Sequence, residues 1–285
     1  MKVKIIAGLV VTGTLFFSCQ KEITGDVKSG GNGGTGGSSN GDLLIKGLGI
    51  TTGTNDTTVS TFGYDANKRL IAYNSTGKAN GTNIDLHYTI TRLSDGKISR
   101  IVFKSAMQPG LDSGVYYPHY ISGTSKLSYV IDTQFTSFGN LRDSVAYIYN
   151  SSNQITSKET FGTVFGISIP PTKATYAYDA SGNLILMTIY ASLGGGGYTQ
   201  TGINNYTYNT HKSAGTFGEE SFIFLGEAYV SKNDGTQGTI NTGGTIYTTT
   251  ASQKQYNSFD RPTQAVTSLT PKPPGYDGKV FYYYQ

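Results

Sequence analysis

A short block recurs along this chain at an almost constant interval, and it constrains the fold more than any other feature. The block consists of Tyr or Phe, any residue, Tyr, Asp or Asn, three further residues, and Leu or Ile. With the second aromatic position as anchor, the intervals are 28, 29, 28, 29, 30 and 48 residues, and the blocks begin at Tyr64, Arg92, Ile121, Tyr149, Tyr178, Tyr208 and Tyr256. A period of this size indicates a chain built from one repeated supersecondary unit.

Each block indicates a β-hairpin turn. In YDANKRL (64–70) and YDASGNL (178–184), Asp and Asn follow an aromatic run, and these residues bond their own backbone and tolerate left-handed conformations. The flanking runs alternate, since Ile84, Leu86, Tyr88 and Ile90 oppose Asp85, His87 and Thr89, which predicts strands with one buried face. We therefore expect an all-β fold, a repetitive antiparallel β-hairpin meander of about 14 strands, curled or closed into a barrel-like sheet. An opening strand at 43–50 and a closing strand at 279–285 are possible additions.

The repeat breaks in the 48-residue interval, within residues 209–255. This interval contains GTFGEESFIFLGEAY, which predicts an irregular element or a short helix. It also contains Glu219, Glu220 and Glu227, and two carboxylates can act as acid and base on a glycoside. The favoured interpretation is that these are solvated loop acids.

The amino terminus predicts three segments. Residues 1–18 have lysines before an apolar run, which is typical of a secretory signal peptide. Residues 19–42 begin with Cys19, the only cysteine of the chain, and continue into a Gly/Ser-rich stretch that behaves as a flexible tether. Residues 43–285 form the repetitive β domain.

Two motifs resemble known families. The segment FFSC, ending at Cys19, resembles the lipobox of bacterial lipoproteins, which implies a lipid on Cys19. By the same resemblance, Gln20 fits sorting to the outer membrane of a Gram-negative cell, on either the periplasmic or the outer side. The tyrosine blocks resemble the non-catalytic YD repeats of Rhs-type and teneurin-like proteins. The whole chain is more similar to Bacteroidetes-type outer-membrane lipoproteins with Tyr-rich hairpin repeats, for which a barrel-like or porin-like fold is expected.

Composition and spacing exclude several functions. Without Lys2 and Lys4 the 22 basic side chains become 20, so against 18 acidic ones the mature net charge is +2, too low and too scattered for a nucleic-acid partner. The histidines His87, His119 and His211 lack metal-ligand spacing. A G-x-S-x-G match at 37–41 lies in the tether without the strand and helix that a nucleophile elbow needs. We predict no catalytic residue, no cofactor, no metal site and no enzymatic activity.

These observations favour a lipid-anchored cell-envelope protein whose β domain binds or scaffolds without catalysis. Its expected partners are the membrane, through the lipid, and a glycan or an envelope protein. One alternative is a glycan-binding accessory lipoprotein that uses surface tyrosines, and another is an envelope or polysaccharide hydrolase that uses the acids at 219–227. An integral outer-membrane barrel is also open because strands of 9 to 10 residues match a bilayer, although Arg100, Lys104, Lys158 and Glu159 disfavour it.

Overall fold

The chain folds into sixteen β-strands and two short helices. The structure is a computed structural model that describes residues 42–51, 54–79, 81–108, 111–136, 139–164, 166–192, 197–242, 245–271 and 277–285. The strands are β1 Leu44–Thr51, β2 Thr57–Tyr64, β3 Leu70–Ala79, β4 Thr82–Arg92, β5 Ile98–Gln108, β6 Leu111–Tyr120, β7 Leu127–Thr136, β8 Gly139–Tyr149, β9 Ile155–Val164, β10 Ile167–Tyr178, β11 Leu184–Ser192, β12 Tyr198–Lys212, β13 Asn233–Thr242, β14 Thr245–Tyr256, β15 Pro262–Thr270 and β16 Gly278–Tyr284. The predicted signal peptide, the predicted lipid attachment at Cys19 and the predicted tether up to residue 41 lie outside the described residues.

The strands form one antiparallel meander that closes into a barrel. Each strand pairs with its sequence neighbours, and β1 also pairs with β16, with Leu48 opposite Phe281. The all-β meander and the closed barrel are confirmed. The predicted number of about 14 strands is wrong, because the segments at both ends of the domain are full strands that pair with each other and complete the wall.

The turns follow the chemistry of the repeat. The Oδ1 atom of Asp65 accepts hydrogen bonds from the backbone N–H groups of Asn67 and Arg69, both at 2.9 Å. Lys68 adopts the left-handed region with a φ of 60°, and its counterparts Asn153 and Asp260 have φ values of 63° and 66°. This is a tight hairpin turn closed by a left-handed residue. The same two-bond pattern occurs at Asn150, Asp179 and Asn257.

The apolar faces of the strands point into the barrel. On β4, Ile84, Leu86, Tyr88 and Ile90 are buried, and the residues between them are exposed or half-buried. The buried side chains form two hydrophobic clusters, one along β1 to β5 and the other along β7 to β11. The inside of this barrel is therefore apolar at the level of these clusters, and β4 presents polar side chains outward.

One segment of the chain enters the barrel. About eight strands already make a barrel that its own side chains can fill, so a 16-stranded wall leaves a lumen. Residues 213–232, which connect β12 to β13 and which we call the plug, contribute buried side chains to both clusters. The plug contains the π-helix Ser221–Leu225 and the 3₁₀-helix Glu227–Val230, which confirms the predicted irregular element. No helix in the described ranges is long and apolar enough to cross a membrane.

Candidate functional site

In four of the seven blocks the second aromatic ties its hairpin to the preceding one, and Tyr284 at the end of β16 makes the same kind of bond. Tyr256, the anchor of the last block, donates instead to Asp234 Oδ2 at 2.9 Å. The tying tyrosine acts through its side chain. Its hydroxyl donates a hydrogen bond of 2.7 to 3.1 Å to the carbonyl of the residue that begins the strand after the preceding turn. The pairs are Tyr64 with Leu44, Tyr120 with Ile98, Tyr178 with Ile155, Tyr208 with Leu184, and Tyr284 with Pro262. The third anchor is therefore Tyr120 and not Ile121, because Tyr120 makes the tie. Sequence spacing alone misplaced it by one residue.

Arg92 occupies the anchor position of the second block and replaces the tyrosine. Its Nε and Nη2 donate to the Leu70 carbonyl at 3.1 and 3.0 Å, and its Nη1 donates to the Gly96 carbonyl at 3.0 Å. Arg92 thus keeps the tie to the preceding hairpin. Its guanidinium also pairs with Glu220 and lies 3.7 Å from Glu219, both on the plug. The one charged anchor is therefore a point at which the barrel wall contacts the plug through an ion pair.

Aromatic rings seat the plug in the lumen. Phe224 stacks on Tyr88 with ring centroids 4.4 Å apart, and Phe217 stacks on Phe62 at 5.5 Å. Phe222 meets Tyr176 edge-on at 5.6 Å. Burying a Phe side chain contributes about 1.5 to 3 kcal/mol. The three phenylalanines therefore hold the plug through apolar contact on both halves of the lumen.

A second ion pair holds the plug against β9, five strands away from β4. Glu227 pairs with Lys158 of β9 and accepts a hydrogen bond of 3.2 Å from the Tyr176 hydroxyl. Burial alone would raise the pKa of Glu227, but the Lys158 ammonium lowers it below the ordinary value. The Tyr147 hydroxyl donates to the Phe222 carbonyl at 3.3 Å. Lys158 therefore points inward and Glu227 stays ionised.

The interpretation of Glu219, Glu220 and Glu227 as solvated loop acids is wrong. Their side chains are only 19, 8 and 17 % exposed, and all three face arginine or lysine inside the barrel. Their partners lie up to 128 residues away in the sequence, so local patterns give no sign of the pairing. As ion-paired groups of the plug, these carboxylates anchor a segment, and this arrangement does not leave an acid and a base on either side of an open cleft.

Two further carboxylates face the lumen. Asp132 of β7 lies directly opposite Asp143 of β8. Gln134 donates to Oδ2 of Asp132 at 2.8 Å, while Oδ1 has no hydrogen-bond partner in the described part of the chain. Burial raises the pKa of Asp132 to about 7, and the charge of Asp143 adds to this. Like charges placed opposite each other destabilise a sheet.

The outer wall is polar on β4 and β5. The outward positions of β4 are Asn83, Asp85, His87, Thr89 and Thr91, since the intervening residues are buried. On β5, Lys104 lies opposite His87 and Arg100 lies opposite Thr91. His87 contacts Asp85 at 2.7 Å and Asn74 at 2.9 Å. This side of the barrel is polar and carries several charges.

The outer wall of β6 to β9 carries exposed aromatic rings, which we call the aromatic patch. Tyr117, Tyr129 and Phe161 are 43, 38 and 48 % exposed. Tyr129 stacks on His119 with centroids 4.3 Å apart. The strand β8 between β7 and β9 contributes only small outward side chains, Ser144 and Ala146, at the same level. Adjacent strands lie about 4.8 Å apart, so the rings flank a shallow furrow about 10 Å wide.

A shallow open cavity of about 470 Å³ lies beside the turn after β10. Its lining includes Asp179, Asn183, Asn209 and Asn233. Asn183 Nδ2 donates to Asp179 Oδ2 at 2.8 Å and to Asn233 Oδ1 at 2.9 Å. The polar groups of this cavity bond to each other and hold the turn against β13.

The histidines do not converge. His87 and His119 lie on the outer wall, and His211 contacts Asp260 at 2.5 Å and stacks on Tyr256 at the end of β12. In the described ranges, no group of three or more His, Cys, Asp or Glu side chains is placed to hold a metal ion. The absence of a cofactor and of enzymatic activity remains a prediction.

The geometry defines this protein as a closed antiparallel β-barrel with an internal plug, and comparisons agree on the fold. It is similar to a porin-like protein from Bacteroides uniformis ATCC 8492, with a TM-score of 0.53, 11 % identity, and coverage of 87 % of this chain and 99 % of that one. It is also similar to a porin-like protein from Bacteroides vulgatus ATCC 8482, with a TM-score of 0.53, 12 % identity, and coverage of 85 % and 98 %. No family model and no curated protein matches the chain. At this identity the likeness concerns the fold alone.

Proposed function

We propose that the protein is a lipid-anchored cell-envelope protein whose plugged barrel stays in water and serves binding or scaffolding without catalysis. The observation that carries this proposal is the direction of the side chains. A barrel that crosses a bilayer needs an apolar outward band, and charges there cost about 2 to 4 kcal/mol at mid-membrane. Here Ile84, Leu86, Tyr88 and Ile90 point inward and β4 presents polar side chains outward.

The plug supports the same proposal. Wide membrane barrels have a polar interior, which is a water-filled channel in porins and is plugged by a loop or a helix in others. In this barrel Phe217, Phe222 and Phe224 fill part of the lumen with apolar contacts, and two sets of ion pairs hold the segment in place. An occupied, apolar lumen is unsuited to free passage of solutes. What remains available to partners is the outer surface and the two rims.

Membrane attachment would then depend on Cys19. The test is fractionation of cells that express the full chain in a Gram-negative host, comparing the parent with Cys19→Ala. We expect the parent in the membrane fraction, released by detergent, and the variant in the soluble fraction. A Cys19→Ala chain that stays in the membrane and resists alkaline carbonate would refute the lipid anchor and favour the integral barrel.

The aromatic patch favours one ligand class, glycans. Exposed aromatic rings offer flat faces on which sugar rings can stack. The patch also has polar neighbours in cross-strand register, since His119 lies opposite Tyr129 and Glu159 lies opposite Ala146, which itself lies opposite Tyr129. A glycan array with the parent and with Tyr117→Ala and Tyr129→Ala tests this role. Binding that both substitutions abolish supports it. An array without any bound glycan, or binding that both variants retain, removes it.

A further inference from the structure

At Arg92, where the wall contacts the plug, two carboxylates share a single positive charge. A single guanidinium faces Glu219 and Glu220, and the three side chains are 9, 19 and 8 % exposed. If both carboxylates were ionised, a net negative charge would remain buried. Burying an uncompensated charge is costly, and groups in this position become neutral instead. We call Arg92, Glu219 and Glu220 the latch.

The geometry identifies the carboxylate that takes the proton. Glu220 bonds directly to Arg92 Nη2, whereas Glu219 lies 3.7 Å from Nη1. Burial and the neighbouring charge of Glu220 raise the pKa of Glu219 to about 7, although Tyr120, Arg92 and the backbone of Ile98 favour its ionised form. The other plug acid, Glu227, has Lys158 to itself and a lowered pKa. Of these two plug acids, Glu219 is therefore the one that changes charge near neutral pH.

Few other charged or titratable groups face Glu219. From the wall these are Arg92 on β4, Tyr120 on β6 and, more distantly, Tyr149 on β8, whose pKa the Glu219 charge helps to raise. From the plug it is Glu220. The nearby ammonium of Lys97 lies over the Tyr120 ring at 5.7 Å and pairs with Asp95 at 2.8 Å.

Further tyrosine and lysine side chains surround this group. Lys126 lies over the Tyr149 ring at 5.4 Å. Tyr64 on β2 faces Glu220, whose charge adds to the effect of burial in raising the pKa of Tyr64. Burial and nearby carboxylates raise the pKa of Tyr64 and of Tyr149, so both remain neutral at pH 6 to 8. Glu219 is the group of this set whose pKa is shifted into that interval.

The latch replaces a neutral tie. At four other anchors, namely Tyr64, Tyr120, Tyr178 and Tyr208, a tyrosine hydroxyl bonds the preceding hairpin. At this anchor Arg92 makes that bond and also reaches the plug. Phe224 and Leu225, which pack in the cluster with Tyr88, follow Glu220 by four and five residues. A change of charge at the latch therefore acts directly on the seat of the plug.

We propose that the latch is a pH-sensitive device that seats the plug in the lumen when Glu219 is protonated and loosens the plug when Glu219 loses its proton. The direction follows from linkage. The seated plug binds the proton more tightly than the released one, so seating is strongest at low pH and weakens as the pH rises towards and through 7. The Lys158–Glu227 pair holds the second half of the plug throughout.

The test is hydrogen exchange of the full chain, measured by mass spectrometry at pH 6 and pH 8 and expressed as protection factors corrected for intrinsic exchange. The pKa of Glu219 is 4.5 when the plug is released and about 7 when it is seated. Linkage therefore predicts that the protection of plug amides falls about ten-fold between pH 6 and pH 8. Glu219→Gln should keep the same protection at both. Glu227→Gln is the matched control, because it should lower protection at both pH values and retain the ten-fold ratio.

A third variant separates the latch from the barrel. Arg92→Tyr restores the hydroxyl of the repeat and removes the cation, so plug protection should fall at both pH values while the strands keep theirs. Asp132 also faces the lumen and its pKa is about 7, so its ionisation is the alternative source of a pH-dependent change in plug protection. Equal plug protection of the parent at pH 6 and pH 8, or a ten-fold change that persists in Glu219→Gln, would overturn the proposal.

Discussion

The tyrosine tie between adjacent hairpins predicts a defined loss of stability when one hydroxyl is removed. Tyr178→Phe keeps the ring and its packing but deletes the hydrogen bond of 2.7 Å to the Ile155 carbonyl. A net hydrogen bond contributes about 0.5 to 1.5 kcal/mol, and a buried carbonyl left without a partner costs about 1 to 3 kcal/mol. Because the site is partly buried and water can reach it, we expect a loss of about 1 to 2 kcal/mol.

Thermal and urea unfolding measure this loss. For domains of 150 to 250 residues each kcal/mol shifts Tm by about 2 to 4 °C, so Tm should fall by about 2 to 8 °C with an unchanged urea slope. Tyr117→Phe is the matched control, since its ring is 43 % exposed on the outer wall and surface changes stay within about 0.5 kcal/mol. If Tyr178→Phe and Tyr117→Phe unfold alike, the repeat tyrosines do not act through their hydroxyls.

Two further substitutions test charges inside the barrel. The pKa of Asp132 is raised from 3.8 to about 7, so its ionisation destabilises the fold as the pH rises through this range. Asp132→Asn should therefore flatten the decline in the free energy of unfolding from pH 5 to pH 8 by on the order of 3 kcal/mol. An unchanged pH profile of stability would contradict this. Lys158→Met leaves Glu227 buried without its partner and should cost about 2 kcal/mol after allowance for partial exposure, whereas Lys158→Met combined with Glu227→Gln should recover most of that loss in urea unfolding. A double variant no more stable than Lys158→Met would show that the pair itself, not the orphaned charge, carries the energy.

The sequence predicts the local parts of this fold well. Asp65, Asn150 and Asp179 accept turn N–H groups as their residue type requires, and the alternation on β4 identifies its buried face. These features depend on neighbours within a few residues, so short patterns are sufficient to find them. The position of the longer, irregular interval was predictable for the same reason.

The long-range features could not be predicted in this way. Closure requires β1 to meet β16 across the whole domain, and no local pattern encodes that pairing. The burial of Glu219 and Glu220 depends on Arg92, which looks in the sequence like a defect in the repeat. The role of Arg92 depends on its contact with the plug, and the repeat pattern does not show that contact. The Asp132 and Asp143 pair likewise arises from cross-strand register.

We infer that the barrel presents its outer wall to water and keeps the apolar side chains of its two clusters inside. The most direct measurement uses a chain that begins at Gly41, purified without detergent and examined by size-exclusion chromatography with light scattering and by incubation with lipid vesicles. We predict a folded, monodisperse particle that stays in solution, with a thermal unfolding curve that detergent micelles do not change. Aggregation that only detergent relieves, or insertion into the vesicles, would contradict the account.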